Sequence, residues 1–395
     1  MRDIGIDFIK DEFLMFVMDQ LAYEREKRGQ AVIRLTLGKS ELPIHADIIG
    51  VMMAALESYD KYALVFPTGL PELKEELAAF YEKKNRFKID PANIIIGVGT
   101  SALMRNLYDS ILNDENDEVL IPLPYYPLYK ICANLLKTRV RYYRIDLETM
   151  VLDLESFRQN FNGQTRIVVI NSPGNPIGNI LTAADLVEID RIVDGQAVII
   201  FDEIYDNVAF DGPPVNMLDV FNKNGTIRTR SPLVVTNSFS KAYRMYSRRV
   251  GWCIVPPELV TPLTTIQHHT LLTVDPVDQF AGIEALRHPE ELEYIRALYK
   301  KKRDYTLQKF EGTPSVRVIP AKGSFYITLD CRDYLKKKRV AHEFELAKKI
   351  LNDTGVAIVP GSDFGIPGTF RLSYTAQQYN EGIDRLYDFF VNNYM

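Results

Sequence analysis

The chain has 395 residues, of which 46% are hydrophobic and 25% charged, and a net charge of −5. This length exceeds one simple core and predicts two domains, or a large domain with a smaller one packed on it, while the acidic balance excludes a global basic field for nucleic acid. Cys132, Cys253 and Cys331 form neither a disulfide framework nor a zinc pattern, acids interrupt the N-terminus where a signal peptide needs an apolar run, and no stretch approaches a membrane span, so a cytosolic protein without membrane contact is expected.

In chain order, Ala46–Ser58 and Pro71–Lys84 are predicted helices, Asn93–Val98 a buried strand and Ser101–Leu112 a helix. Glu118–Pro122 is a predicted strand, Tyr126–Leu136 a helix, Arg166–Asn171 a strand, Ala183–Asp194 a helix and Ala197–Asp202 a strand. Strands Leu233–Asn237 and Gly251–Val255 and helix Gln279–Leu286 follow. Most of these strands are continuously apolar, as strands buried on both faces of a mostly parallel sheet would be, and the alternation of strand and helix means an α/β core. The tail differs. A charged helix over Glu290–Phe310 precedes strand-like Ser315–Pro320 and Ser324–Asp330, a helix over His342–Asn352, strand-like Val356–Val359 and Thr369–Tyr374, and a closing helix near Gln377–Asn393, together a smaller α+β unit. The expected division is an N-terminal segment 1–45, a large domain 46–288 and a small domain 289–395.

The run Ser238-Phe239-Ser240-Lys241 places a lysine beside hydroxyls, with Arg249 eight residues on and Gly251 just beyond. An amine there suits a covalent bond to an aldehyde cofactor, and hydroxyls with a guanidinium suit its phosphate. Ile199-Ile200-Phe201-Asp202 is a buried strand that delivers a carboxylate at its tip, or else a cap for the next helix. Asn171-Ser172-Pro173-Gly174-Asn175-Pro176 is a rigid turn after another strand. Gly97-Val98-Gly99-Thr100-Ser101-Ala102 imitates a dinucleotide fingerprint, but the next strand ends in Pro122 instead of an acid. Backbone N–H groups at that helix start suit any phosphate.

Together these runs resemble the aspartate aminotransferase family of pyridoxal-phosphate (PLP) enzymes, fold type I, over roughly residues 30–390. The resemblance implies a mostly parallel seven-stranded sheet flanked by helices in the large domain, a smaller α+β domain and a PLP cofactor. It implies a homodimer with shared active sites. It assigns Lys241 to the cofactor aldimine and to proton transfer, Asp202 to the pyridine nitrogen, and Tyr205 and Asn175 to the phenolic oxygen. Tyr126 stacks on the ring. Gly99, Thr100, Ser101, Ser238, Ser240 and Arg249 hold the phosphate, and Tyr62 reaches the neighbour's phosphate. Arg371, after the run Pro360-Gly361-Ser362-Asp363-Phe364-Gly365, grips the substrate α-carboxylate with Asn175 and the backbone of Gly38.

The implied reaction is transamination in amino-acid metabolism, from an L-amino acid to a 2-oxo acid. The chain departs from the family at Ser247, at Ile177 and in the Gly38-Lys39-Ser40-Glu41-Leu42 loop that lines the substrate pocket. The last departure and the Pro124-Tyr125-Tyr126-Pro127 run, which resembles aminocyclopropane-carboxylate synthase, keep a PLP lyase or synthase as the alternative; a non-catalytic PLP or amino-acid sensor is a remote one. Lys39 and Arg244 are candidate cations for an acidic substrate side chain. The five histidines lack metal-ligand spacing, and no metal is expected.

Overall fold

The structure, a computed structural model, describes residues 13–58, 66–393 of the chain. Seven strands form one sheet in the spatial order Ile94–Val98, Val250–Ile254, Leu233–Ser238, Val198–Asp202, Thr165–Asn171, Glu118–Leu123, Arg139–Arg144. Val250–Ile254 runs antiparallel to both its neighbours, and the remaining pairs are parallel. Successive side chains of a strand leave on opposite faces, and here both faces are covered. Val168, Ile170, Ile199 and Phe201 join a core with Leu73, Leu77 and Trp252, whereas Ile167, Val169 and Ile200 join one with Leu103, Leu107 and Tyr129.

The seventh strand, Arg139–Arg144, does not read as an apolar run because it is the edge of the sheet. Its arginines Arg139 and Arg141 turn back onto the buried carboxylate of Glu118. The helix Pro257–Thr270 is also absent from the sequence reading, since Pro262 and its threonines interrupt the helical pattern. The first helix of the site begins at Gly99, two residues earlier than expected, and so brings Gly99 and Thr100 into its first turn.

A second, four-stranded antiparallel sheet has the order Arg317–Ile319, Tyr326–Asp330, Thr369–Ser373, Val359–Pro360. The single strand expected over Val356–Val359 is two. Val356–Ala357 pairs in parallel with Ile33–Arg34, and Val359–Pro360 joins the sheet beside Arg371. The N-terminal segment is thereby stitched to this unit. Leu35 N–H donates to Ala357 C=O and Leu35 C=O accepts from Ser373 N–H, each at 2.9 Å. The helix Leu14–Lys27 starts on Asp363, whose carboxylate accepts from the N–H groups of Leu14 and Met15 at 3.0 and 2.8 Å. This satisfies orphan donors of the first turn from a distant part of the chain. No helix among the described residues is long and apolar enough to cross a membrane.

Gly251, the last member of the lysine motif, sits where its strand passes the Gly99–Thr100 turn. A Cβ there would lie 2.6 Å from Thr100 N and 2.8 Å from the Gly99 carbonyl carbon. Both neighbours are backbone and cannot swing aside. Gly251→Ala is therefore expected to destabilise the fold by about 1–3 kcal/mol, read as a lower urea midpoint at unchanged slope.

Candidate active site

The residues singled out in the sequence meet at one end of the seven-stranded sheet, beyond the carboxyl ends of its parallel strands, where open α/β sheets bind ligands. Asp202 ends its strand, Asn175 and Tyr126 follow theirs, and Thr100 and Ser101 open the helix Gly99–Ile111. Arg249 precedes the antiparallel strand that begins at the same end. The four-stranded sheet contributes Arg371 and Tyr326, and Gly38 enters from the N-terminal segment. Together they enclose one small cleft of about 100 Å³.

Lys241, Asp202, Tyr205, Asn175, Tyr126, Thr100, Ser101, Ser240, Arg249, Arg371 and Gly38 all line this cleft. Gly99 and Ser238 do not. The hydroxyl of Ser238 instead accepts from Ser240 N–H at 3.0 Å and so shapes the turn that carries Lys241. Gly99 has φ +69°, and a Cβ on it would lie 2.5 Å from Arg249 Nη2. Glycine here is what lets the guanidinium approach the helix start. Tyr62 lies outside the described residues.

Lys241 is enclosed by Tyr205, Tyr246 and Phe325, whose ring centres lie 5.7, 5.4 and 5.9 Å from Nζ, and it donates to Gly38 C=O at 3.0 Å. Burial, helped by the positive charges of Arg371 and Arg249, holds its amine below the usual lysine range. Asp202 is also buried. It accepts from Tyr129 O–H at 2.6 Å and from Ile204 N–H at 3.2 Å. Burial raises its carboxyl, and the bond from Tyr129 opposes that shift. Immediately behind it, Glu203 accepts from Tyr81, Asn216 and Asn237, and burial pushes it up to about 7.

Arg371 is 2% exposed and forms no ion pair with a described residue. Its guanidinium carbon stands 4.2 Å from the Tyr326 ring centre and 4.6 Å from that of Phe364. Nη1 donates to Asn175 Oδ1 at 3.4 Å, Nη2 donates to Thr36 C=O, and Nε is buried without a partner. A buried guanidinium with an unused N–H is matched to an incoming carboxylate. Around Arg249, the first-turn N–H groups of the helix and the hydroxyls of Thr100, Ser101 and Ser240 form a donor set suited to a phosphate. An aldehyde cofactor bearing a phosphate fits these residues: an amine below its usual basicity, a buried carboxylate and an anion cup stand around one cleft.

Several lining residues escape the sequence reading. Tyr129 follows Tyr126 by one helical turn and supplies the hydrogen bond to Asp202. Tyr326 lies 3.4 Å from Tyr205, hydroxyl to hydroxyl. Burial would raise the Tyr326 phenol, but the Lys241 and Arg371 cations outweigh it and hold it below the usual range. Met15, whose Sδ accepts from Arg371 Nη2 at 3.4 Å, is placed by the Asp363 cap. Lys39 and Arg244 line a separate groove that touches the cleft at Leu37, and Arg244 is paired with Glu291.

Because Tyr326 favours the charged amine, Tyr326→Phe is expected to shift the titration of Lys241 to lower pH. The pH dependence of acylation at Lys241 in cofactor-free protein, followed by peptide mass spectrometry, reads this directly. A midpoint that stays in place or rises would contradict the assignment.

Comparison with known sequences places the class of protein. The sequence model of the family "Aminotransferase class I and II" matches residues 32–390, and the chain belongs to that family. It is 28% identical over 372 residues to the aspartate aminotransferase of Bacillus sp. strain YM-2, covering 92% of this chain and 93% of that one. It is 29% identical over 385 residues to a probable aspartate/prephenate aminotransferase of Aquifex aeolicus, covering 92% of each. Among solved structures, Thermus thermophilus aspartate aminotransferase with maleate superimposes with a TM-score of 0.86 at 25% identity, covering 98% of this chain and 99% of that one. The seven-stranded sheet with flanking helices is fold type I, as the sequence motifs implied.

Proposed function

We propose that this transferase binds PLP at Lys241 and moves an amino group from an L-amino acid to a 2-oxo acid. The observation that carries the reading is the convergence of a half-buried amine, a buried carboxylate and a buried guanidinium without a carboxylate partner among the described residues on one cleft. Lys241, Asp202, Tyr205, Asn175, Tyr126, Thr100, Ser101, Ser240 and Arg249 would hold the cofactor, which supplies an electron sink next to the substrate Cα.

The chain's own groups do the rest. Arg371 binds the α-carboxylate through its fork of N–H donors, and the Asn175 amide and the Gly38 backbone close around the same group. This fixes the Cα–H bond toward Lys241, whose Nζ takes the proton as general base. Lowered basicity leaves a larger share of the amine able to accept a proton at a given pH than an ordinary lysine offers. Asp202, kept in place by Tyr129, presents its carboxylate to the cleft. The rings of Tyr205, Tyr246 and Phe325 stand around the amine.

The named relatives are aminotransferases, which supports amino transfer over elimination or cyclisation. With this reading go a cytosolic homodimer that shares its active sites and the division into segment 1–45, domain 46–288 and domain 289–395.

Titrating the PLP-loaded protein with a panel of L-amino acids, followed by visible absorption, tests the proposal. Loss of the lysine-bound cofactor band, restored by a 2-oxo acid, is expected. Continuous turnover without bleaching would overturn transamination in favour of a lyase or synthase, and a folded protein that never forms the band would overturn the role of Lys241.

A further inference from the structure

Away from the cleft, two histidines far apart in sequence meet. His45 caps the helix Ala46–Glu57, and His288 precedes the helix Pro289–Lys309. Their rings are tilted by 32° with centres 4.1 Å apart. Asp47 reaches both, with Oδ2 3.8 Å from His45 Nδ1 and 3.6 Å from His288 Nε2. One ligand atom from each of the three residues lies within 4.8 Å of the others. A tetrahedral ion bound at 2.0–2.1 Å sets its ligands about 3.3 Å apart, so small side-chain adjustments close this set around an ion.

The surroundings favour a metal. His288 Nδ1 lies 2.8 Å from Glu290 Oε1, the carboxylate support that commonly fixes the tautomer of a metal-ligating imidazole. Nε2 of the same ring lies 3.6 Å from Asp47 Oδ2 and 3.2 Å from Glu284 Oε1. Carboxylate oxygens gathered about an imidazole nitrogen are an arrangement that a cation, proton or metal ion, completes. Against it stand Arg287, which is paired with Glu284 at 2.9 Å, and the 3.3 Å cap bond from Asp47 N–H to His45 Nδ1, which a metal at that nitrogen displaces.

We propose that His45, Asp47 and His288 form a binding site for a divalent transition-metal ion of the zinc type. Imidazole and carboxylate ligands select such an ion over Mg²⁺, which prefers all-oxygen octahedra. The ion fastens the chain that follows the Gly38 loop to the head of the long helix entering the second unit. This is independent of the amino-transfer reading.

The test is calorimetric titration of the full-length, PLP-loaded protein, freed of metal by chelation, with ZnCl₂ and separately with MgCl₂. One Zn²⁺ per chain is expected, bound far more tightly than Mg²⁺. His45→Ala and His288→Ala should each weaken it by at least about 10-fold, and a His268→Ala, His269→Ala double variant should bind as the parent does. Glu290→Ala, at an exposed side chain, should weaken binding about 10-fold through loss of the tautomer support. Absence of Zn²⁺ binding, equal affinity for Mg²⁺, or unchanged affinity in the His45, His288 or Glu290 variants would overturn the proposal.

Discussion

Lys241→Ala is expected to slow amino-group transfer by at least about 10⁴-fold, the upper range for loss of a positioned general base, while leaving the fold intact. The amine stands among Tyr205, Tyr246 and Phe325, donates to the Gly38 carbonyl and interacts with the Tyr326 hydroxyl. Its removal therefore relieves a desolvated charge without opening an ion pair, and the thermal midpoint of cofactor-free protein should be unchanged or higher. Single-turnover rates of the PLP-loaded variant measure the first effect. Partial rescue of the rate by an added small primary amine would separate loss of the proton carrier from damage to the pocket. A rate within tenfold of the parent would remove Lys241 from the chemistry.

Arg371→Leu should lower kcat/KM for an L-amino acid by about 10²–10³-fold, matching the 2–5 kcal/mol typical when one partner of a buried charge pair is deleted. Stability should move the other way or not at all. In the free protein the guanidinium sits between Tyr326 and Phe364 with Nε unpartnered, and an apolar side chain in that sandwich leaves no charge unpaired. Opposite signs on activity and stability separate a substrate clamp from a structural strut. Arg371→Lys should recover only part of the loss, because a point charge cannot reproduce the planar fork. The sharpest readout is the ratio of kcat/KM for an amino acid and for the same amine without its carboxylate, which should collapse toward unity in the leucine variant. A ratio that stays at the parent value would reassign carboxylate recognition elsewhere.

What the sequence made legible follows from how each residue is placed. Lys241, Asp202, Asn175 and Arg249 lie at or within a few residues of the ends of mostly apolar strands, in runs that resemble the family's motifs, so pattern and resemblance together locate them. Arg371 was legible for the same reason, on a short strand after a glycine-rich turn. Tyr326 was not, because its orientation depends on the pairing of its strand with Thr369–Ser373, a long-range register that local pattern does not encode. Met15 reaches the site through the bond between its backbone and Asp363, a contact nothing in the local run signals. Tyr129 was within reach: it lies on the same helical face as Tyr126, one turn on, and points at a carboxylate already singled out. The arginine-rich edge strand was missed because its solvent side carries no hydrophobic signature.

The two ends of the cleft belong to different cores. Lys241 and Asp202 ride on the seven-stranded sheet, whereas Arg371 rides on the four-stranded one, with the Gly38 loop hung beside it through Leu35 and Thr375. In the free chain the direct polar links at this point include the 3.4 Å bond from Arg371 to Asn175, the 3.4 Å bond between the Tyr205 and Tyr326 hydroxyls and the bond from Lys241 to Gly38. An amino acid held at both its carboxylate and its amine spans that gap as a tie rod. Occupancy should therefore be felt far from the reacting atoms, as slower hydrogen exchange in Thr369–Ser373 and Leu35–Gly38 together, and a ligand that lacks either group should slow neither.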